Sequence, residues 1–270
     1  MLTNDDGIHA PCIRAAYAEL RRLGEVTVVA PDAERSAVGH AITTLLPLRV
    51  TQVTGDGMPG YAVNGMPADC VKLGIGAILE ERPDIVVSGI NLGPNTAASI
   101  IYSGTVSAAT EARILGVLSV AVSLATFTEA DFGPAAVVAR EVAALVLQRG
   151  LPERVLLNVN VPNLPRAKLA GLRVTRQGRS VFQEEFAVRE DPRRQPYYWL
   201  AGRFSMTDEA EDTDAWAVSH GYVSVTPVSF DLTDYGSMED IAAWPWDGGR
   251  PRAQTVPKRR SPKSPRPGTM

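Results

Sequence analysis

The sequence predicts an α/β fold, a doubly wound and mostly parallel sheet followed by a smaller β-rich C-terminal unit. Three observations carry the prediction. From Met1 to Val161, short apolar and β-branched runs alternate with segments of helical spacing, the order strand, crossover helix, strand. Several of the runs open at their carboxyl ends into polar loops containing glycine, where open parallel sheets build sites. Beyond Gly171 the texture changes to strand-like pieces separated by charged segments that contain proline.

The first element is the apolar start Met1-Leu2-Thr3, which runs into Asn4-Asp5-Asp6-Gly7. A central strand is usually about five or six residues long, so this start is short, and the natural chain is expected to begin upstream of Met1. Apolar or small residues at 13, 16, 17, 20 and 23 give a helix from Ile13 to Leu23, with Gly24 as its C-terminal cap. Glu25 to Ala30 reads as a strand ended by Pro31, and Pro31 to His40 as a polar loop. Residues 41 to 63 mix short apolar stretches with Gly and Pro, the mark of a hairpin-like excursion. Helical spacing returns from Pro67 to Leu79. Asp84 to Ser88 is a continuous apolar run suited to a strand buried on both faces. A helix follows from Val106 to Leu115, then a strand from Leu118 to Leu124, a helix from Pro134 to Gln148 and a strand from Val155 to Val161. The divisions that result are residues 1–170, 171–247 and 248–270.

The last of these stands apart in charge. The whole chain carries 27 basic and 30 acidic residues, but seven of the basic ones and no acidic one lie between Gly248 and Met270. Five prolines share that stretch with almost nothing apolar, so it cannot bury enough surface to offset its ordering entropy. It is expected to be a disordered, solvated tail without a nucleic-acid role. No apolar run approaches the ~20 residues of a membrane helix, and the N-terminus lacks the regions of a signal peptide, so a cytoplasmic protein is expected. Cys12 and Cys70 are the only cysteines and lie far apart, which suggests neither a disulfide framework nor a zinc site; both read as small buried hydrophobes.

Asp5 and Asp6 repel one another, and holding them together at a strand end gains nothing unless a cation or a shared proton compensates. Taken alone, Asn4-Asp5-Asp6-Gly7 is equally a polar turn. Other strand ends tip the reading, because they deliver Ser36 and Asn91 toward the same crevice. With Asp5 and Asp6 these make an all-oxygen set suited to one divalent cation, Mg²⁺ or Mn²⁺. Ser103-Gly104-Thr105 stands at a helix start, where unpaired N–H groups and the helix dipole favour an anion such as phosphate, although the tripeptide alone is an ordinary N-cap. Metal and anion cradle in one crevice describe hydrolysis of a phosphate ester. His9 and His40 lie in the same loops and read equally well as supporting residues; Tyr102 before the helix reads as packing, and His220 as structural.

The runs Thr3 to Pro11, Val29-Ala30-Pro31-Asp32 with Arg35-Ser36, Ser88-Gly89-Ile90-Asn91 with Gly93 and Asn95, and Tyr102 to Val106 resemble the survival protein SurE family of metal-dependent nucleotidases. Pro67 to Val71, Gln195 to Trp199, Thr213-Asp214 and Gly221 to Pro227 extend the likeness to about Asp234. The resemblance implies a Rossmann-like catalytic domain, a small C-terminal unit with oligomer contacts in a dimer or tetramer, and release of phosphate from nucleoside monophosphates. It implies Asp5, Asp6, Ser36 and Asn91 as metal ligands, with Asn95, Ser103, Gly104 and Thr105 around the phosphate. Asp5 and Asp6 are the catalytic candidates, as base, nucleophile or ligand. Family members commonly carry glycine where Cys12 stands, and stretches with glycine where Thr96-Ala97-Ala98 and Arg113 stand, so substrate preference is the feature these departures touch. A receiver-like module that binds metal and phosphate without turnover is the alternative, but it expects an aspartate where this chain has Asn91. The aromatic residues Tyr197, Tyr198, Trp199 and Trp216 are expected in the core of the second unit or at an oligomer interface.

Overall fold

The computed structural model describes residues 1–55, 57–244 and 246; the basic tail at 248–270 lies outside the described residues. Met1–Phe230 form one compact unit, and the described residues from Asp231 onward belong to another.

In the first unit, strand β1 (Leu2–Thr3) is followed by helix α1 (Pro11–Leu20) and strand β2 (Val28–Pro31). Strands β3 (Val50–Val53) and β4 (Gly60–Val63) pair antiparallel, and β4 lies parallel to β2. The excursion thus returns as the expected hairpin. Helix α2 (Pro67–Leu73) continues in a single π turn over Gly74–Ile78, then come β5 (Ile85–Leu92), the short α3 (Ser99–Tyr102) and α4 (Gly104–Ile114). Strand β6 (Leu118–Ala125), helix α5 (Phe132–Arg149) and strand β7 (Val155–Pro162) complete the alternation. Helix α1 stops at Leu20 rather than Leu23: Arg21 is its C-cap, and the N–H groups of Arg22 and Leu23 reach only three residues back, to Glu19 and Leu20, so the chain tightens into turns before Gly24.

The sheet runs β3-β4-β2-β1-β5-β6-β7-β11-β8, where β8 is Gly171–Val174 and β11 is Tyr222–Ser229. From β4 to β7 every neighbour is parallel. One face is covered by α1 and α5, which bury Leu2, Ile13, Val122 and Val142 between them and the sheet. The other face is covered by α2 and α4 over Val29, Val71, Val86 and Ala108. At about 25 cal/mol per Å² of apolar surface removed from water, two such layers are what hold a sheet whose strands are apolar on both sides. Helix α4 can lie this close because its buried positions are small, Ala108, Ala109 and Ala112 among them.

Residues beyond 171 divide between two structures. Strands β8 and β11 extend the main sheet, β11 antiparallel to β7. The β-rich unit takes the form of β9 (Val181–Glu190) and β10 (Pro196–Ser205), which pair only with each other. Helix α6 (Asp214–Ser219) precedes β11, and Trp216 in it stacks on His220 at 3.8 Å, so His220 is structural as expected. Tyr197, Tyr198 and Trp199 are exposed on the ladder and build no core. The second unit contains α7 (Met238–Ala242) and a stacked pair, Trp244 and Trp246.

Candidate active site

Parallel neighbours end on the same edge of a sheet, and here the ends of β1, β2 and β5 bring three loops together. Asp5 and Asp6 follow β1. The backbone N–H of Arg35, in the loop after β2, donates to the Asp5 carbonyl at 2.7 Å, and Ile8 N–H donates to the Pro31 carbonyl at 2.9 Å. Beside them β5 carries Asn91 next to its last residue, Leu92. Strand β5 runs four residues past the expected end at Ser88. Its register against β6 shifts between Ser88 and Asn91, and a Cβ on Gly89 would run into the Val122 carbonyl oxygen, so only glycine lets the strand continue there.

Asp5 is almost fully buried and is held by the start of α4. The Thr105 hydroxyl donates to its carboxylate, and so does the Thr105 N–H at 3.2 Å. A Cβ on Gly104 would fall 2.9 Å from the Asp5 carboxylate and 3.2 Å from Pro67, so the glycine between Ser103 and Thr105 is what admits the carboxylate. The helix N-terminus therefore already holds one anion. Ser103 is the N-cap, its hydroxyl accepting from Val106 N–H at 3.0 Å. Burial pushes the Asp5 pKa up to about 6, against the pull of the Thr105 bonds, and Asp6 repels it further. Burial also raises Asp6, and Glu34 adds to the repulsion.

Ser36 and Asn91 sit at the rim. The Ser36 hydroxyl donates to Glu34 at 2.8 Å and stays exposed, while the Asn91 amide donates to the Gly93 carbonyl at 2.7 Å, a bond that does not use its side-chain oxygen. Asn95 is placed differently. It is buried in a polar network, its amide donating to Ser123 on β6 at 2.8 Å, with Asn160 accepting from its N–H and Asn158 and Asn160 both donating to its carbonyl. No bond joins it to Ser103, Gly104 or Thr105 among the described contacts.

The residues fit a cation by their own chemistry. Asp5 and Asp6 are adjacent carboxylates whose ionisation is opposed by burial and by negative neighbours. Beside them the side-chain oxygen of Asn4 is buried without a partner. Together with Ser36 and Asn91 this is an uncompensated, all-oxygen set, and a hard divalent cation fits it. Among the described residues no group of three or more His, Cys, Asp or Glu could hold a metal, so a cation at this place would draw on Ser36 and Asn91 beside the two carboxylates.

Other groups in the site escaped the sequence reading. Cys12 is buried, yet its thiol also donates to Asp6 at 3.4 Å. His40 bonds Glu111 on α4 at 2.8 Å, and Lys72 on α2 reaches the other Glu111 oxygen at 2.6 Å; with Gly39 N–H on the Tyr102 carbonyl, these fasten the loop after β2 to the helix. His40 is thus a supporting residue, and His9 is exposed. Asp214 accepts from Ala97 N–H at 2.8 Å and Gly178 N–H at 2.9 Å, and Gln177 donates to the Ala97 carbonyl at 2.8 Å. Ala97 takes a left-handed φ of 51°, so both its polar groups are gripped where the backbone is least willing. Tyr102 is exposed, contrary to its reading as packing. The one signal for the Asn network was visible: Asn158 and Asn160 share a face of an otherwise apolar strand.

A family model described as survival protein SurE matches residues 1–184. A protein named 5'-nucleotidase SurE from Desulfatibacillum aliphaticivorans is 49% identical over 245 residues, 90% of this chain and 97% of that protein. Its counterpart of the same name from Moorella thermoacetica is 48% identical over 257 residues, 93% of this chain and 99% of its own. The crystal structure of the SurE protein from Aquifex aeolicus matches with a TM-score of 0.79 at 45% identity, covering 89% of this chain and 96% of that one.

Proposed function

The chain belongs to the survival protein SurE family, and from that premise we propose that it is a divalent-metal-dependent phosphomonoesterase, a 5'-nucleotidase that hydrolyses nucleoside monophosphates to nucleoside and phosphate. The observation that carries the reading is the join between Asp5 and the start of α4, which sets an acidic, all-oxygen cation set directly against a helix N-terminus. One Mg²⁺ or Mn²⁺, held by Asp5, Asp6, Ser36 and Asn91, would supply charge neutralisation at the phosphoryl oxygens and an acidified water.

The chain's own groups do the rest. The Ser103 hydroxyl and the Gly104 N–H orient the phosphoryl group, Thr105 joins them only on release of the bonds it gives to Asp5, and Asn95, locked by Ser123, Asn158 and Asn160, offers a rigid polar wall. Asp5 and Asp6 are the groups placed to hold the proton released as water attacks phosphorus. The ester bond breaks as the nucleoside oxygen leaves and takes up a proton. Burial raises both carboxylates, so each binds a proton more readily than an exposed aspartate does. Asn91, whose amide is a poor phosphoryl acceptor, takes support from the receiver-like alternative.

We also propose a cytoplasmic homo-oligomer, dimer or tetramer, built on the β9–β10 ladder. No helix among the described residues is long and apolar enough to cross a membrane. Phe186, Val188, Tyr198 and Leu200 share one face of the ladder, and each is at least 60% exposed. A two-stranded ladder is marginal alone in water, so a second copy is the partner these side chains fit. Phosphate release from a panel of nucleoside 5'- and 3'-monophosphates, with Mg²⁺ and with Mn²⁺, tests the reading; no release from any of them refutes it.

A further inference from the structure

We propose that Phe127 is a stacking platform for the nucleobase and sets the preference for nucleotides over other phosphate esters; the inference rests on the nucleotidase reading above. Phe127 follows β6 and is 75% exposed, unusual for a phenylalanine at the mouth of a buried site. One edge of its ring is seated. A Cβ on Gly93 would fall 2.5 Å from Cε1 and 3.2 Å from Cδ1 and Cζ, so the ring rests against a backbone position that carries no side chain.

The seat is fixed at both ends. Gly93 N–H and Thr126 N–H both donate to the Leu124 carbonyl, at 2.9 and 2.8 Å, and the Thr126 hydroxyl bonds within its own turn to the Thr128 carbonyl at 2.6 Å. The ring is thus held from the turn that follows β5, between Asn91 and Asn95, and most of its surface is open to solvent.

Distance places it at the base end of a nucleotide. The Asn91 amide donates at 2.7 Å to the carbonyl of Gly93, the residue against which the ring rests. A residue spans about 3.5 Å of extended chain, so the two residues from Asn91 to Gly93 set the ring off from Asn91 by roughly the room a ribose needs between phosphoryl group and base. Every base offers a π face, and stacking requires only a fixed, exposed ring. Tyr102 is the other exposed aromatic of the site, but it directly precedes the cradle, close to the phosphate end.

The test compares adenosine 5'-monophosphate with ribose 5-phosphate, which lacks the base. In Phe127→Ala the ratio of kcat/KM for the nucleotide to kcat/KM for the sugar phosphate falls roughly tenfold, within the range of base stacking measured by alanine substitution, and Phe127→Trp restores it. An unchanged ratio, or a ratio that falls only in Tyr102→Ala, overturns the proposal. If the wild-type protein hydrolyses neither compound, the nucleotidase reading fails and the platform falls with it. Because the side chain is exposed, the alanine variant keeps its fold, which an unchanged melting temperature verifies.

Discussion

Asp214→Ala should cost the protein a large part of its stability, although Asp214 touches neither the acidic pair nor the cradle. Its carboxylate is fully buried and accepts three backbone N–H groups, from Ala97, Gly178 and Ala215. Alanine leaves the Ala97 and Gly178 donors buried without acceptors, at ~1–3 kcal/mol each, so the expected loss is about 4 kcal/mol. Domains are stable by only ~5–15 kcal/mol. With a urea slope of ~2 kcal/mol per molar, the midpoint falls by ~2 M at unchanged slope. Asp214→Asn keeps one acceptor oxygen but turns an amide donor toward the second N–H, and should cost about half as much. Phosphatase activity falls in both variants, since the gripped Ala97 fixes the loop of Asn95. A loss below ~1 kcal/mol in Asp214→Ala, at unchanged slope, would refute the reasoning.

Two further outcomes are expected. Burial opposes ionisation of Glu111, but hydrogen bonds from His40 and Lys72 outweigh it and hold its pKa below the ordinary range. A depressed acid contributes stability above its unfolded pKa of about 4.3, and that contribution is lost as pH falls through the folded value. Glu111→Gln therefore flattens the acid limb of a melting-temperature profile below about pH 5, and an unaltered limb counts against the latch. For the ladder, light scattering at micromolar concentration should give a dimer or tetramer, weakened by Tyr198→Ser with Leu200→Ser and unaffected by deleting residues 248–270; a monomeric wild type sinks the assignment.

Much of this molecule was legible because its signals are local. The alternation of β-branched runs and helical spacing places β2, β6, β7, α1 and α5, and the polar loops after the strands locate Asp5, Asp6, Ser36 and Asn91 on one edge. What the sequence conceals is pairing at long range. Strands β8 and β11 look like members of a separate unit, because a period-two pattern says nothing about which sheet a strand joins. The extension of β5 through Leu92 is hidden by Gly89 and Asn91, which read as loop. Glu111 is 71 residues from His40 and 39 from Lys72, so no spacing rule could assemble that latch. Asp214 and Ala97 are 117 apart and joined only by the fold. Asn95 was attached to the phosphate by resemblance, whereas its observed bonds run to Ser123, Asn158 and Asn160 on the neighbouring strands.

The most direct test of the central claim is phosphate release from adenosine 5'-monophosphate by protein stripped of metal, with removal verified by elemental analysis. Stripped wild type should be inactive and recover on addition of Mn²⁺ or Mg²⁺, while Asp6→Asn, folded by circular dichroism, should stay nearly inactive at every metal concentration. Full turnover by the stripped wild type, or wild-type turnover by Asp6→Asn, would contradict the account.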